Sequence, residues 1–491
     1  MLATMKSLAR PGAVRLCPLL AALSGTFATP ATAAPPVPGY HSVLPSYLHA
    51  LRQTPLVYRR LDRVPERGAG WRTYALTSQA WPPGASAHAS DWVHRVALHV
   101  PRNARPGAAA ILFINNGINR GTADSPAQPP SDFSDALMAE VSEASRMIAV
   151  SVSDVPNQYL ALPDEPPMRE DRLVAATWRR FMDDPALSNG SLPLHVPMAG
   201  AAVRAMDLAA RELGDLGVET FVVVGASKRA WAGWLTTLGD TRVVAIVPYV
   251  IEMGIGRLVD DIAERYGGGW PIALQPYVTE GVPERTHTPE FSALMAISDP
   301  LTYLHTLLRD RLSVPKLVVN ASGDDFFPPD TAQAYLGALP GPTSLFVAPN
   351  SDHYGIRDHV HATLVPFLRR ISSAVALPQV ETAVAQVDGR YRVSAVSSEV
   401  PAEVSLWVAR NDRDRDFRFA CGVRYERVPF WHAGARSEAV IDVPAAGWAA
   451  AFFAFTYPDG FVASSPVQVL PPDRFPVRPP ADGDGRCRMA R

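Results

Sequence analysis

The stretch Phe221-Val222-Val223-Val224-Gly225-Ala226-Ser227-Lys228-Arg229-Ala230 decides the reading of this chain. Its apolar, β-branched start suits a strand buried on both faces. Trp231, Trp234 and Leu235 then follow at helical spacing. A strand ending in Gly-x-Ser that turns at once into a helix is the nucleophile-elbow context, in which a strained turn lifts the serine hydroxyl above a sheet. The backbone N–H of Lys228, the next residue, is then placed to face an oxyanion. The general motif asks for Gly two residues after the serine, and here Arg229 stands there, so an ordinary buried turn serine is the competing reading.

A serine hydroxyl attacks a carbonyl only when a base takes its proton, so the chain needs an acid and a histidine downstream, in that order. The apolar run Leu317 to Asn320 leads into Gly323-Asp324-Asp325-Phe326-Phe327, which places an acid after a late strand. Asp324 follows the turn glycine directly and is the preferred acid, with Asp325 as its rival. Glu252, after the run Val243 to Ile251, is a further candidate. The next run, Ser344 to Ala348, enters Pro349-Asn350-Ser351-Asp352-His353, so His353 is the candidate base; His359 and His361 fall on the following helix. A second oxyanion donor is expected from the loop after the early strand Ala110 to Ile114, at Gly117 or Ile118.

Working outward, short apolar runs alternate with helical patterns from Trp71 to about Arg370. The strand candidates are Val96 to Val100, Ala110 to Ile114, Met147 to Val152, Phe221 to Val224, Val243 to Ile251, Leu317 to Asn320 and Ser344 to Ala348. Arg172 to Met182, Met198 to Leu213 and Asp330 to Leu339 read as helices. This alternation predicts an α/β fold, an α/β-hydrolase-like, mostly parallel sheet with helices on both faces, over residues 71–375. After Pro378 the strands alternate without helices between them, which predicts a small all-β sandwich over 380–472. Residues 34–70 read as an extended N-terminal segment, and 473–491 as a proline-rich flexible tail.

The N-terminus joins Lys6, Arg10 and Arg15 to an apolar stretch Leu16 to Ala28 and a small-residue run to Ala34, the pattern of a cleaved export signal over 1–33. An exported protein, periplasmic or secreted, is therefore expected. No later segment reaches the roughly 18 apolar residues that a membrane-spanning helix needs. The formal charge of -2 gives no basis for binding nucleic acid. Beyond the export segment only Cys421 and Cys487 remain, enough for one disulfide or two free thiols and too few for a cysteine-rich metal site. No dinucleotide, phosphate-loop or metalloprotease motif is present, so neither cofactor nor metal is expected.

Several further segments carry a resemblance. Thr77-Ser78-Gln79 with Trp81, Trp92-Val93-His94, Val155-Pro156-Asn157-Gln158, Arg169-Glu170-Asp171 and Arg204-Ala205-Met206-Asp207 occur in order with Gly225-Ala226-Ser227-Lys228-Arg229, Asp299-Pro300, Gly323-Asp324-Asp325-Phe326-Phe327 and Asp416-Phe417-Arg418. Together they resemble the PhoPQ-activated pathogenicity-related proteins, which include autocrine proliferation repressor proteins. The resemblance implies a hydrolase-like domain followed by a β-sandwich, and it accounts for Arg229, because the family motif reads Ser-Lys-Arg-Gly; Ala230 replaces its last glycine. The expected function is an exported serine hydrolase, an esterase or peptidase, acting on a small-molecule or peptide substrate through Ser227, His353 and Asp324. The alternative is a non-catalytic secreted binding or signalling protein that keeps the scaffold.

Overall fold

The computed structural model describes residues 39–61, 70–82, 90–119, 121, 126–186 and 190–490. The export segment at 1–33 lies outside them.

Helix α1 (Val43–Arg52) places Leu44, Leu48 and Leu51 on one buried face, an i, i+4, i+7 stripe. Residues 43–52 are therefore packed helix, where composition predicted an extended segment. Strands β1 (Val57–Arg60), β2 (Trp71–Trp81), β3 (Ser90–His99), β4 (Ala110–Ile114), α2 (Asp135–Ser145) and β5 (Ala149–Val152) follow, then α3 (Glu170–Asp183), α4 (His195–Glu212), β6 (Phe221–Ala226), α5 (Lys228–Gly239) and β7 (Val243–Tyr249). Helices α6 (Ile255–Arg265), α7 (Gln275–Thr279) and α8 (Pro289–Ser298) lead to β8 (Lys316–Ala321), β9 (Thr343–Ala348) and α9 (Val360–Ser372). The nine strands form one sheet in the order β1-β2-β3-β5-β4-β6-β7-β8-β9. Pairing is antiparallel from β1 to β5 and parallel onward. Strands β4 and β6 are buried along their whole length, which is why they read as unbroken apolar runs.

The predicted helix over Asp330 to Leu339 is instead two 3-10 turns, Thr331–Ala334 and Leu336–Ala338. Asp330 does not cap them, because its carboxylate is taken up by Arg415 (2.6 Å) and Arg265 (3.2 Å).

The C-terminal strands build a four-stranded and a five-stranded antiparallel sheet between Val380 and Leu470. Their inner faces share one core with the underside of the large sheet: Val222 and Val224 of β6 and Leu364 and Phe367 of α9 belong to the same buried cluster as Leu406 and Phe453. The tail is likewise built in, contrary to the flexible end expected from its prolines. Cys421 and Cys487 form a disulfide. The Arg418 guanidinium, fixed by Asp416 (2.7 Å), donates to the carbonyls of Arg486, Cys487 and Arg488. No local pattern in the tail announces these partners, since they lie about seventy positions away. Removing the bond by a Cys421→Ser/Cys487→Ser double substitution is expected to cost about 2–4 kcal/mol, read as a lower midpoint in urea unfolding.

Candidate active site

Ser227 joins β6 to α5 with φ 56° and ψ -131°, a left-side backbone conformation that is costly for a non-glycine residue and needs its surroundings to hold it. Its N–H donates to the Tyr249 carbonyl of β7 (2.8 Å) and its carbonyl accepts from Trp231 N (3.0 Å). Gly225 is required by the tightness of this turn: a Cβ there would lie 2.7 Å from the backbone of Arg229. Lys228 begins α5, so its N–H is one of the donors that a helix start leaves unpaired.

The loop after β8 and the loop after β9 meet beside this turn. His353 Nδ1 lies 2.9 and 3.0 Å from the two carboxylate oxygens of Asp324. Asp324 is itself fixed by accepting from the N–H groups of Phe326 (2.8 Å) and Phe327 (3.3 Å), and the Phe326 ring packs 4.4 Å from the imidazole. A carboxylate on Nδ1 sets the tautomer that leaves Nε2 able to accept a proton. Nε2 is buried and has no hydrogen-bond partner among the described residues. Ser227 and His353 line one polar cavity, without a hydrogen bond between them.

The two rival acids have other partners. Asp325 accepts from Arg486 (2.8 Å); burial pushes its carboxyl up to about 6, the neighbouring Asp324 charge adding to this and Arg486 opposing it. Arg486 also reaches Asp352 (2.7 Å), so the disulfide-anchored tail ties the acid loop to the base loop. Glu252 accepts from Asn320 (2.8 Å) in the interior, and burial pushes its carboxyl up to about 8. A raised carboxyl binds a proton in the folded state that the unfolded chain has released. Its contribution to stability is therefore full below the unfolded value near 4.5 and is lost as pH rises towards 8. Glu252→Gln is expected to flatten the fall of unfolding free energy between pH 5 and about 8, measured by urea titrations across that range.

Of the two early-loop donors, Ile118 is corrected by the structure: its N–H donates to the Gln128 carbonyl (3.0 Å) and cannot also serve an oxyanion. Gly117 has φ 138°, and a Cβ on it would approach Asp154 Oδ1 to 2.4 Å, so only glycine fits. Its N–H donates to no group among the described residues, and Gly117 lines the same cavity as Ser227.

The sequence reading left out the charged floor of the site. Lys228 Nζ pairs with Glu170 (2.9 Å) and Asp171 (3.2 Å), while Arg229 pairs with Glu170 (2.6 Å) and Asp132 (3.4 Å). Arg357 reaches Asp132 from the other side at 2.8 Å. Burial opposes the Lys228 charge, but Asp171 and Glu170 outweigh it and hold the ammonium above its ordinary range. Arg229 thus replaces the motif's glycine with a buried ion-pair anchor, and the signal for it was Arg169-Glu170-Asp171, which carried the resemblance without a role. A second, apolar cavity, also lined by Ser227, opens between Trp178, Trp231, Trp270 and Leu258.

These features can be set beside known proteins. The family described as PhoPQ-activated pathogenicity-related protein matches residues 44–418. The chain belongs to this family. The chain is 31% identical over 366 residues to autocrine proliferation repressor protein A of Dictyostelium discoideum, covering 70% of this chain and 69% of that one. Among solved structures, an acetyl xylan esterase from Paenibacillus sp. R4 is similar with a TM-score of 0.45 at 14% identity, covering 69% of this chain and 96% of that one. Acetyl xylan esterase 1 from Thermoanaerobacterium sp. JW/SL YS485 gives a TM-score of 0.41 at 14% identity, over 65% of this chain and 90% of that one. This family member also has no helix among its described residues long and apolar enough to cross a membrane.

Proposed function

We propose that this protein is a serine hydrolase in which Ser227 attacks the carbonyl of an ester or amide, His353 moves the proton and Asp324 orients His353. The observation that carries the reading is the Asp324–His353 pair: His353 lines the cavity that Ser227 lines, and its Nε2 has no hydrogen-bond partner among the described residues. In the first step the Ser227 Oγ–carbon bond forms as Nε2 takes the hydroxyl proton, and that proton passes to the leaving oxygen or nitrogen as its bond to carbon breaks. The N–H groups of Lys228 and Gly117 are placed to hold the oxyanion. Water then repeats the path and releases the acid. Ser227 and His353 make no hydrogen bond here, and contacts of this kind commonly tighten only when substrate is bound.

A second reading, a secreted signalling protein that retains the scaffold, is favoured by the name of the Dictyostelium relative and by the missing Ser227–His353 hydrogen bond. Labelling with a fluorophosphonate separates the two. A hydrolase labels in the wild type and loses the label in both Ser227→Ala and His353→Ala; a folded wild type that takes no label favours the signalling reading.

Export is part of the proposal. It is supported by the charged, apolar and small-residue order of residues 1–33 and by the Cys421–Cys487 bond, which suits an oxidising compartment. N-terminal sequencing of the protein recovered outside the cytoplasm is expected to begin near Ala34.

A further inference from the structure

We infer that the acyl half of the substrate is large, apolar and uncharged, while the leaving half is polar; this rests on the serine-hydrolase reading above. Two cavities of opposite character meet at Asp171, Ser227, Lys228 and Phe326, which line both. His353 lines the polar one, with Asn116, Gln158 and Arg357, and is absent from the lining of the apolar one. That asymmetry orients the substrate. The leaving oxygen or nitrogen must be within reach of Nε2 to receive the proton taken from Ser227 Oγ, so it lies in the polar cavity. The remaining substituent of the carbonyl carbon then points the other way, into the apolar cavity.

That cavity is built to hold a bulky group. Trp178 of α3 and Trp231 of α5 stand edge to face at 5.5 Å, and the Trp231 indole N–H is engaged by the Ser298 carbonyl, which fixes the ring. Leu258, Val259 and Ile262 of α6 form the opposite wall. The charges at the junction cancel: Lys228 is paired with Asp171, and Tyr277 donates to the same carboxylate at 3.1 Å. No unpaired charge is left there for an acidic or basic acyl chain. Each methylene buried there is worth about a fourfold gain in binding.

The test uses the full mature chain with p-nitrophenyl acetate, butyrate and octanoate, alongside fluorophosphonate labelling of the same preparation. The expected result is labelling of Ser227 together with a kcat/KM at least about tenfold higher for octanoate than for acetate. Leu258→Trp fills the cavity and is expected to bring the octanoate-to-acetate ratio down to about one. Val259→Trp, at a partly exposed position of the same wall, gives the same reading should Leu258→Trp not fold. A labelled enzyme that prefers acetate, or whose ratio is unmoved by a folded wall variant, overturns the apolar-acyl assignment and leaves the hydrolase reading standing. An unlabelled, folded wild type overturns both.

Discussion

Ser227→Ala is expected to lower kcat/KM on the best ester substrate by at least about 10⁴-fold, with the fold and the melting temperature retained. The size follows from the proposed role: without Oγ no acyl-enzyme could form, and what remained would come from the oxyanion donors and binding alone. His353→Ala is expected to fall by a similar factor. The double variant is expected to be no worse than either single one, because nucleophile and base act as a unit. Asp324→Asn keeps a side chain of the same shape beside Nδ1 but favours the wrong imidazole tautomer, so it too is expected to lose about 10⁴-fold. The check is steady-state kinetics beside thermal unfolding. Additive losses in the double variant would argue that Ser227 and His353 do not share one step.

Asp330→Ala has the largest expected effect on stability. Asp330 and Arg415 are almost fully buried, and the carboxylate is shared with Arg265, so truncation leaves a guanidinium without its counter-charge in the interior. Breaking a buried pair in this way costs about 3–5 kcal/mol. It is expected to shift the urea midpoint strongly while leaving the Cys421–Cys487 bond intact. The pH dependence has a definite sign. Burial opposes the Asp330 charge, yet Arg415 and Arg265 outweigh it and hold the carboxyl below its ordinary value. The contribution is present above the unfolded value near 3.8 and is lost as pH falls through the lower folded value. The wild type is therefore expected to lose stability below about pH 4 more steeply than Asp330→Ala.

The elbow and the central strands were legible in the sequence because each rests on neighbouring residues. Ala110–Ile114 had the bounds of its strand, and Phe221 to Val224 fell inside one that runs on to Ala226. A strand buried on both faces must be apolar throughout, so its pattern is local. The order Ser227, Asp324, His353 was also readable, since each residue follows a strand in a fixed chain order. By contrast, Asp330 to Leu339 carried helical spacing but forms 3-10 turns, because its first residue is drawn away by arginines of other segments.

Only the folded chain decided which acid faces His353. Asp324 and Asp325 are adjacent and chemically alike, and only the arrival of Arg486 from the far end of the chain occupies Asp325 and leaves Asp324 to His353. It likewise decided that Ile118 spends its N–H on Gln128, that residues 43–52 fold as a buried helix, and that the proline-rich tail is fastened to Cys421 by a disulfide and to Asp325 and Asp352 through Arg486. The central strands and the strand-turn-helix at Ser227 could be read from the chain alone, because local burial and backbone strain fix them. The pairing of charges across long sequence separations was settled only in the folded chain, where burial makes each unpaired charge too costly to leave and so selects one partner for each.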